Sequence, residues 1–423
     1  MSLTTTLALH GGAPAVSRPV PAWPIAGDLE AAWMEAVVRS GAWSWNGPHE
    51  QAFCREFASF IGTKHCMLLS NGTVTLQCAL QAVGVEPGDE VIVPGMTWVA
   101  TAQAAFDIGA DVVFADVDPE TLCLDPKAYE RAITPRTKAV IPVHLYGAMC
   151  DMDAIMEISR RRGIKVVEDV AHQHGSRWRN VGAGAIGDVG SFSMQQSKVL
   201  TCGEGGAVTT NDPQVHEIVH CLKHVGHTPG FVAGNRYGHN YRGTEMQAVL
   251  LRGGLSRLTE QTLRREASAA RISAGLERIG GPVRAVARDP RVTRQAHYCM
   301  TLYYDPQRAG GLTKAEYAAA LAAEGLHLQS TYPPVYRAPL MNLYDRTSPV
   351  PFRDQSRLQD YRSLKLPNVE RAVAETALLM FHTYLLGDDA YIDSLLSAIE
   401  KVNAAIPALL AARPAQAQAK KSA

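Results

Sequence analysis

The chain reads as an α/β protein: a large domain built on a mainly parallel sheet wound through helices, followed by a smaller α+β domain. Three observations predict this. From about residue 50 to 212, short β-branched runs alternate with helical patterns, the mark of βαβ units. A long helical stretch then begins near Thr244. After about residue 285 the pattern changes to strand-like sequence, Tyr298 to Tyr304, followed by a helix from Thr313 to Gly325. The expected division is an N-terminal extension over 1–28, a large domain over 29–280, a small C-terminal domain over 281–412 and a disordered tail over 413–423, which has too little apolar surface to fold.

The expected strands are 90–93, 111–115, 139–143, 165–168, 190–193 and 206–210, the last two close enough in sequence to be antiparallel neighbours. Between them, Leu76, Ala79, Leu80 and Val83 recur at helical spacing and predict a helix from about Gly72 to Val83, opened by the turn Ser70-Asn71-Gly72-Thr73. Asp151 is a good N-cap for a second helix, which stops at Gly163 after Arg160, Arg161 and Arg162, a basic run suited to a solvated helix end.

Composition narrows the function. Of 423 residues, 46% are hydrophobic and 19% charged, which excludes a disordered chain. Lys+Arg and Asp+Glu are both 41, so the net charge is +0 and no electrostatic footprint argues for nucleic acid or an anionic membrane. With no secretory leader pattern in Met1 to Pro14 and no run of about 18 apolar residues, the chain reads as cytoplasmic, with a small-molecule partner. The eight cysteines contain no Cys-x-x-Cys pair and read as free, mostly buried thiols.

Two motifs match a pattern without its context. Gly182-Ala-Gly184-Ala-Ile-Gly187 fits G-x-G-x-x-G, but a dinucleotide site needs a strand before it and a helix after it. Here the strand follows, and a turn-rich loop is the better reading. His216-Glu-Ile-Val-His220 is a literal H-E-x-x-H, with His224, His227 or Glu245 as a third ligand if it held zinc for hydrolysis. The plainer reading is a His-rich surface helix after the turn Asn211-Asp212-Pro213, and no metal is expected.

Four features converge on another task, holding an anionic, aromatic, electrophilic cofactor. Ser70-Asn71-Gly72-Thr73 opens a helix whose free N–H groups make a phosphate seat. Trp98 follows a strand, where ligands bind in open α/β folds, and offers an indole to a flat ring. Asp169 ends a buried strand and is costly there unless it meets a cation, such as a protonated pyridine nitrogen. Lys198 lies between a small-residue strand and the cluster Gly203-Glu-Gly-Gly206, a place better suited to a Schiff base than to a solvated amine.

With these motifs in this order, the sequence resembles the DegT/DnrJ/EryC1/StrS group of fold-type I pyridoxal 5'-phosphate (PLP) enzymes, from about Trp45-Asn46-Gly47-Pro48 to Arg242 and on into the small domain. The resemblance implies an aspartate aminotransferase-like large domain with a mainly parallel seven-stranded sheet that binds PLP. It makes Lys198 the Schiff-base lysine and Asp169 the partner of the pyridinium nitrogen. It places His172 near the ring hydroxyl, Trp98 on the ring, and Gly72, Thr73 and Ser193 on the phosphate, with Asn240 reaching the phosphate of a neighbouring subunit in a homodimer. Lys198 argues against the sugar-deoxygenating relatives, which carry histidine there. Gly243 departs from the family, which usually has an apolar residue at that point.

The stretch Ser193 to Thr201, and Val143-His-Leu-Tyr-Gly147, are most similar to the aminotransferases of scyllo-inosose-type cyclitols in aminoglycoside antibiotic biosynthesis. This resemblance implies ping-pong transfer of an amino group from L-glutamine or L-glutamate to a keto-cyclitol or keto-sugar. The alternatives are an aminohydroxybenzoate-type dehydratase or aromatising synthase, and a nucleotide-keto-sugar aminotransferase. Substrate contacts are expected at Asn46, Gln196, Tyr332, Tyr336 and Arg337, although the last three serve equally well as interface packing.

Overall fold

Seven strands form the central sheet: β1 (His65–Leu69), β2 (Glu90–Pro94), β3 (Asp111–Ala115), β4 (Thr137–Val140), β5 (Lys165–Asp169), β6 (Val189–Ser193) and β7 (Gly206–Thr210). Their order is β1-β7-β6-β5-β4-β2-β3. Strand β7 runs antiparallel to both its neighbours, and the remaining strand pairs are parallel. The computed structural model describes residues 6–230, 232–234, 236–343 and 360–413.

Helices cover both faces, as a parallel sheet requires. Helix α1 (Asp28–Ser40) and α2 (Pro48–Ile61) precede the sheet, α3 (Gly72–Ala82) follows β1, α4 (Ala100–Asp107) follows β2, and α5 (Pro126–Ala132) and α6 (Met152–Arg162) follow β3 and β4. As expected, the side chain of Asp151 caps α6, accepting from Ala154 N, and the helix ends at Gly163 with φ +68°. Helix α7 (Pro213–Lys223) leads through a loop to α8 (Glu245–Ile279), where Thr244 and Gln247 form a capping box. In the C-terminal region, β8 (Val283–Ala285), β9 (Cys299–Tyr304) and β10 (Ala377–Phe381) form an antiparallel sheet packed with α9 (Lys314–Ala323) and α10 (Asp389–Ala411).

Among the described residues there are two hydrophobic cores, and α8 serves both. Its Ala248, Leu251 and Leu258 enter the core of the large sheet, and its Ala269, Ile272 and Leu276 enter the second core with Leu302, Tyr304 and Ile399. Leu7 and Val16 of the N-terminal segment also pack into the second core. The fully buried Glu324 ties that segment down, accepting from the amides of Ala8 (2.7 Å) and Ala15 (3.0 Å) and pairing with Lys401. Helix α10 is long and apolar enough to cross a membrane by length and composition, but its Tyr391, Ile392, Leu395, Ile399 and Val402 pack into this core. The disordered-tail expectation falls outside the described residues except at Arg413, which pairs with Glu316.

Strand β1 was not among the expected strands. Its sequence, His-Cys-Met-Leu-Leu, has no β-branched residue, and all five positions pair with β7. Strand β4 is displaced toward its N-terminus because Pro142 has no N–H to give the ladder, and Val143 rejoins only as an isolated bridge to Asp169.

Candidate active site

The carboxyl ends of β1, β2, β5 and β6 share one edge of the sheet, and a cavity of about 380 Å³ opens there. Gly72, Thr73, Trp98, Asp169, His172, Ser193, Lys198 and Tyr332, all singled out from the sequence, line it together. Thr97, Thr101, Ser191, Gln195, Ser197, Glu204 and Tyr298, with the helix cap Asn71, complete the polar lining. Apart from Asn71, in the turn that opens α3, none of these is assigned a role by the sequence; they are brought in by strand ends and by the fold of the C-terminal region.

Each side chain is held by its surroundings. Asp169 is 5% exposed; Thr101 donates to its Oδ2 (2.9 Å) and the Ala171 amide to its Oδ1 (3.1 Å). Burial pushes its carboxyl up, while those two donors and Lys198 act against the rise. Lys198, 9% exposed, is brought down to about 8 by burial, against the pull of Asp169. Its Nζ lies 4.6 Å from the centre of the Tyr298 ring.

The backbone N–H of Tyr146 donates to His172 Nδ1 (3.1 Å), so the neutral imidazole carries its proton on Nε2, which lies 3.4 Å from the Tyr332 hydroxyl. Burial holds this histidine well below its ordinary range. At the mouth stands Trp98, 58% exposed and tilted against Tyr332 at 5.5 Å between ring centres.

The start of α3 forms the floor of the cavity. Asn71 caps the helix by accepting from Val74 N (3.1 Å), and the amides of Gly72 and Thr73, in the first turn, have no acceptor within the helix. Gly72 is required by proximity: a Cβ there would stand 2.6 Å from Ser193 Cβ. The start of a helix, an exposed indole, a buried acid and an amine therefore face one space, a donor set that fits a flat, phosphorylated, pyridine-like group.

Other expected residues lie outside this cavity. Tyr336 donates to Glu370 (3.0 Å), and Arg337 donates to the carbonyls of Tyr361, Arg362 and Leu364, so both pack the chain against itself while Tyr332 enters the cavity. Gln196 receives the Trp23 indole N–H on its carbonyl (3.0 Å), behind the Lys198 loop. Asn46 turns with φ +61° ahead of α2, and Asn240 bridges to His224. Gly243, where the sequence departs from the family pattern, is forced by Leu68: a Cβ would run into that side chain.

Neither decoy motif reaches the cavity. The G-x-G-x-x-G loop is an anion nest already filled by the protein. The amides of Gly184 (2.9 Å), Ile186 (2.8 Å) and Gly187 (2.7 Å) all donate to the carboxylate of Glu168, which also meets His144 Nε2 at 3.0 Å. On α7, His216 stacks on His65, and His220 lies edge-on to His224. Burial lowers both His216 and His220 to about 4, and among the described residues no group of three or more such side chains is placed to hold a metal ion.

Known proteins resemble this chain in sequence and fold. An L-glutamine:2-deoxy-scyllo-inosose aminotransferase from Micromonospora echinospora is 39% identical over 419 residues, covering 94% of this chain and 98% of that protein. Among solved structures, the aminotransferase from Psychrobacter cryohalolentis superposes with TM-score 0.82 at 30% identity, covering 92% of this chain and 100% of that one. A 3-amino-5-hydroxybenzoic acid synthase superposes with TM-score 0.80 at 32% identity, covering 91% and 99%. Residues 24–380 match one family throughout, which replaces the zinc-hydrolase alternative: the chain belongs to the DegT/DnrJ/EryC1/StrS aminotransferase family.

Proposed function

We propose that this aminotransferase uses PLP to move an amino group from L-glutamine to a keto-cyclitol, in the manner of aminoglycoside biosynthesis. The observation that carries the cofactor is the meeting of Lys198 and Asp169 across one buried cavity. Support for donor and acceptor comes from the scyllo-inosose aminotransferase relative.

Bound here, PLP supplies an electron sink for the charge left when a proton leaves the substrate α-carbon. Asp169 would keep the ring nitrogen protonated, since burial raises this carboxyl and a cation in contact with it would stabilise its charged form. The α3 amides and Ser193 would hold the cofactor's phosphate, Trp98 would pack against its ring, and His172, whose Nε2 carries the proton, would donate to its hydroxyl. Lys198 Nζ, brought down to about 8, takes the proton from the α-carbon near neutral pH. Tyr332, from the proposed C-terminal domain, 281–412, is the acceptor contact in the cavity of the proposed cofactor domain, 29–280.

The same reading makes the protein a homodimer in which Asn240 reaches the partner's phosphate site. The exposed Val225, Val232 and Tyr237 near that segment in sequence, with the exposed Trp43, whose carbonyl accepts from Glu245 N, supply apolar surface for such an interface. The eight free thiols suit a reducing, cytoplasmic setting.

The test is the visible spectrum of the PLP-loaded protein. L-glutamine should bleach the cofactor band, and a keto-cyclitol should restore it. A band that survives both L-glutamine and L-glutamate would overturn amino transfer in favour of a dehydratase or aromatising synthase, and restoration only by a nucleotide-linked keto-sugar would overturn the acceptor.

A further inference from the structure

One side chain at the site has no role in the chemistry above. Tyr298 lies just before β9, beyond the end of α8, yet its ring reaches the lysine. Its hydroxyl meets Ser197 Oγ at 2.9 Å, on the residue preceding Lys198, and Ser197 Oγ in turn donates to Gln195 Oε1 (2.8 Å). His172 stacks on the ring at 4.0 Å with 16° between planes, and Phe381 meets it edge-on at 5.3 Å. The Ser197 carbonyl is held from the C-terminal side as well, by His382 Nε2 (3.0 Å). The ring is thus fixed by its hydroxyl, by two aromatic neighbours and by its place beside a strand, while Lys198 ends a flexible four-carbon stem.

We infer that Tyr298 is the positioning residue of Lys198: its π face holds the lysine amine whenever that amine is free, and its hydroxyl anchors the loop that carries the lysine. A cation beside an aromatic face within about 6 Å is attracted by the ring quadrupole, more strongly when both are out of water. The contact therefore favours the charged amine and opposes the burial that lowers it. The titratable groups around the amine are Asp169 on β5, His172 and His174 in the following loop, Glu204 ahead of β7, Tyr298 and Cys299 at β9, Tyr332, and His382 after β10. Burial keeps the three histidines neutral near pH 7, and it raises Cys299. Asp169 first, then Cys299, favour the ammonium electrostatically, and the Tyr298 ring adds its face to them.

This rests on Lys198 being the cofactor lysine, but its test does not. In cofactor-free protein, the rate at which Lys198 is acylated by acetic anhydride, followed against pH by peptide mass spectrometry, reads the titration midpoint of the amine. Tyr298→Phe keeps the π face and should leave the midpoint within about 0.3 unit, while its lost anchor should lower kcat with little change in KM. Replacing Tyr298 with a ring-fluorinated phenylalanine keeps the shape and drains the π face. It should move the midpoint down by about 0.5 to 1.5 units. The inference is overturned if the fluorinated side chain leaves the midpoint in place, or if Tyr298→Phe lowers it equally. Borohydride reduction of the PLP-loaded protein, with mapping of the modified peptide, separately reports whether Lys198 carries the cofactor.

Discussion

Glu168 and Asp169 are consecutive residues on one strand, both acidic and both buried, and they have opposite fates. Glu168 is fully satisfied inside the protein, by three loop amides and a histidine. Asp169 has two donors and faces a cavity that also holds an amine. Because side chains alternate across a strand, neighbours point to opposite faces. One carboxylate closes a loop by itself; the other awaits something from outside. A buried charge thus reveals a function only where its own chain leaves it incompletely matched.

Substitutions on the two faces of β5 put this contrast at risk. The largest effect belongs to the cavity side: Lys198→Ala should reduce amino transfer from L-glutamine by more than about 10³-fold with the far-ultraviolet circular dichroism unchanged. Full turnover in that variant would remove Lys198 from the reaction. Next come the paired substitutions. Asp169→Asn should slow the reaction by about 10²- to 10⁴-fold without lowering the melting temperature, because burial already disfavours its charge. Glu168→Gln should do the reverse, costing about 2–4 kcal/mol in denaturant unfolding while sparing the rate per folded molecule, since it strands amides that now share a carboxylate. An exchange of these two signatures would show that the faces were misassigned.

A smaller effect tests the shared site. Mixing inactive Lys198→Ala with Asn240→Ala subunits should restore roughly a quarter of the sites if Asn240 acts across a two-fold dimer, because one mixed dimer site is then intact. No recovery would place Asn240 with its own chain's lysine or outside the site. The smallest effect is a slope. Lys198 is lowered to about 8 from an ordinary 10.5. Between these values the unfolded chain binds a proton that the folded one lacks, so the stability of cofactor-free protein should rise with pH there. Lys198→Met should remove that increment.

Much of this was legible in the sequence because short-range chemistry dictated it. Asp151 and Gly163 bound α6 through a side-chain cap and a positive φ, and neither depends on distant contacts. The site residues that could be read lie at or just beyond strand ends, Asp169 as the last residue of β5 and Trp98 and Lys198 within five residues of the ends of β2 and β6, where a parallel sheet gathers its ligands. Strand β1 was illegible because His65, Cys66 and Met67 have little intrinsic preference for a strand, and pairing with β7 decides the matter. Tyr298 was illegible for another reason. It belongs to a strand-like run that reads as packing, and only the return of the C-terminal region over the sheet edge brings it to Lys198. In the run 332–337, Tyr332 and Tyr336 are the same residue type four positions apart, and the path of the backbone sends one to the cavity and the other to Glu370.

Helix α8, unbroken over 35 residues, sets a phase between the two cores it serves. One residue inserted between Leu258 and Ala269 would turn the far seam by about 100° and advance it by about 1.5 Å, pulling Ile272 and Leu276 off their partners. Seven inserted residues would return that seam almost to its original bearing but carry it about 10 Å along the axis. This segment is a ruler whose length fixes how the two cores stand to each other.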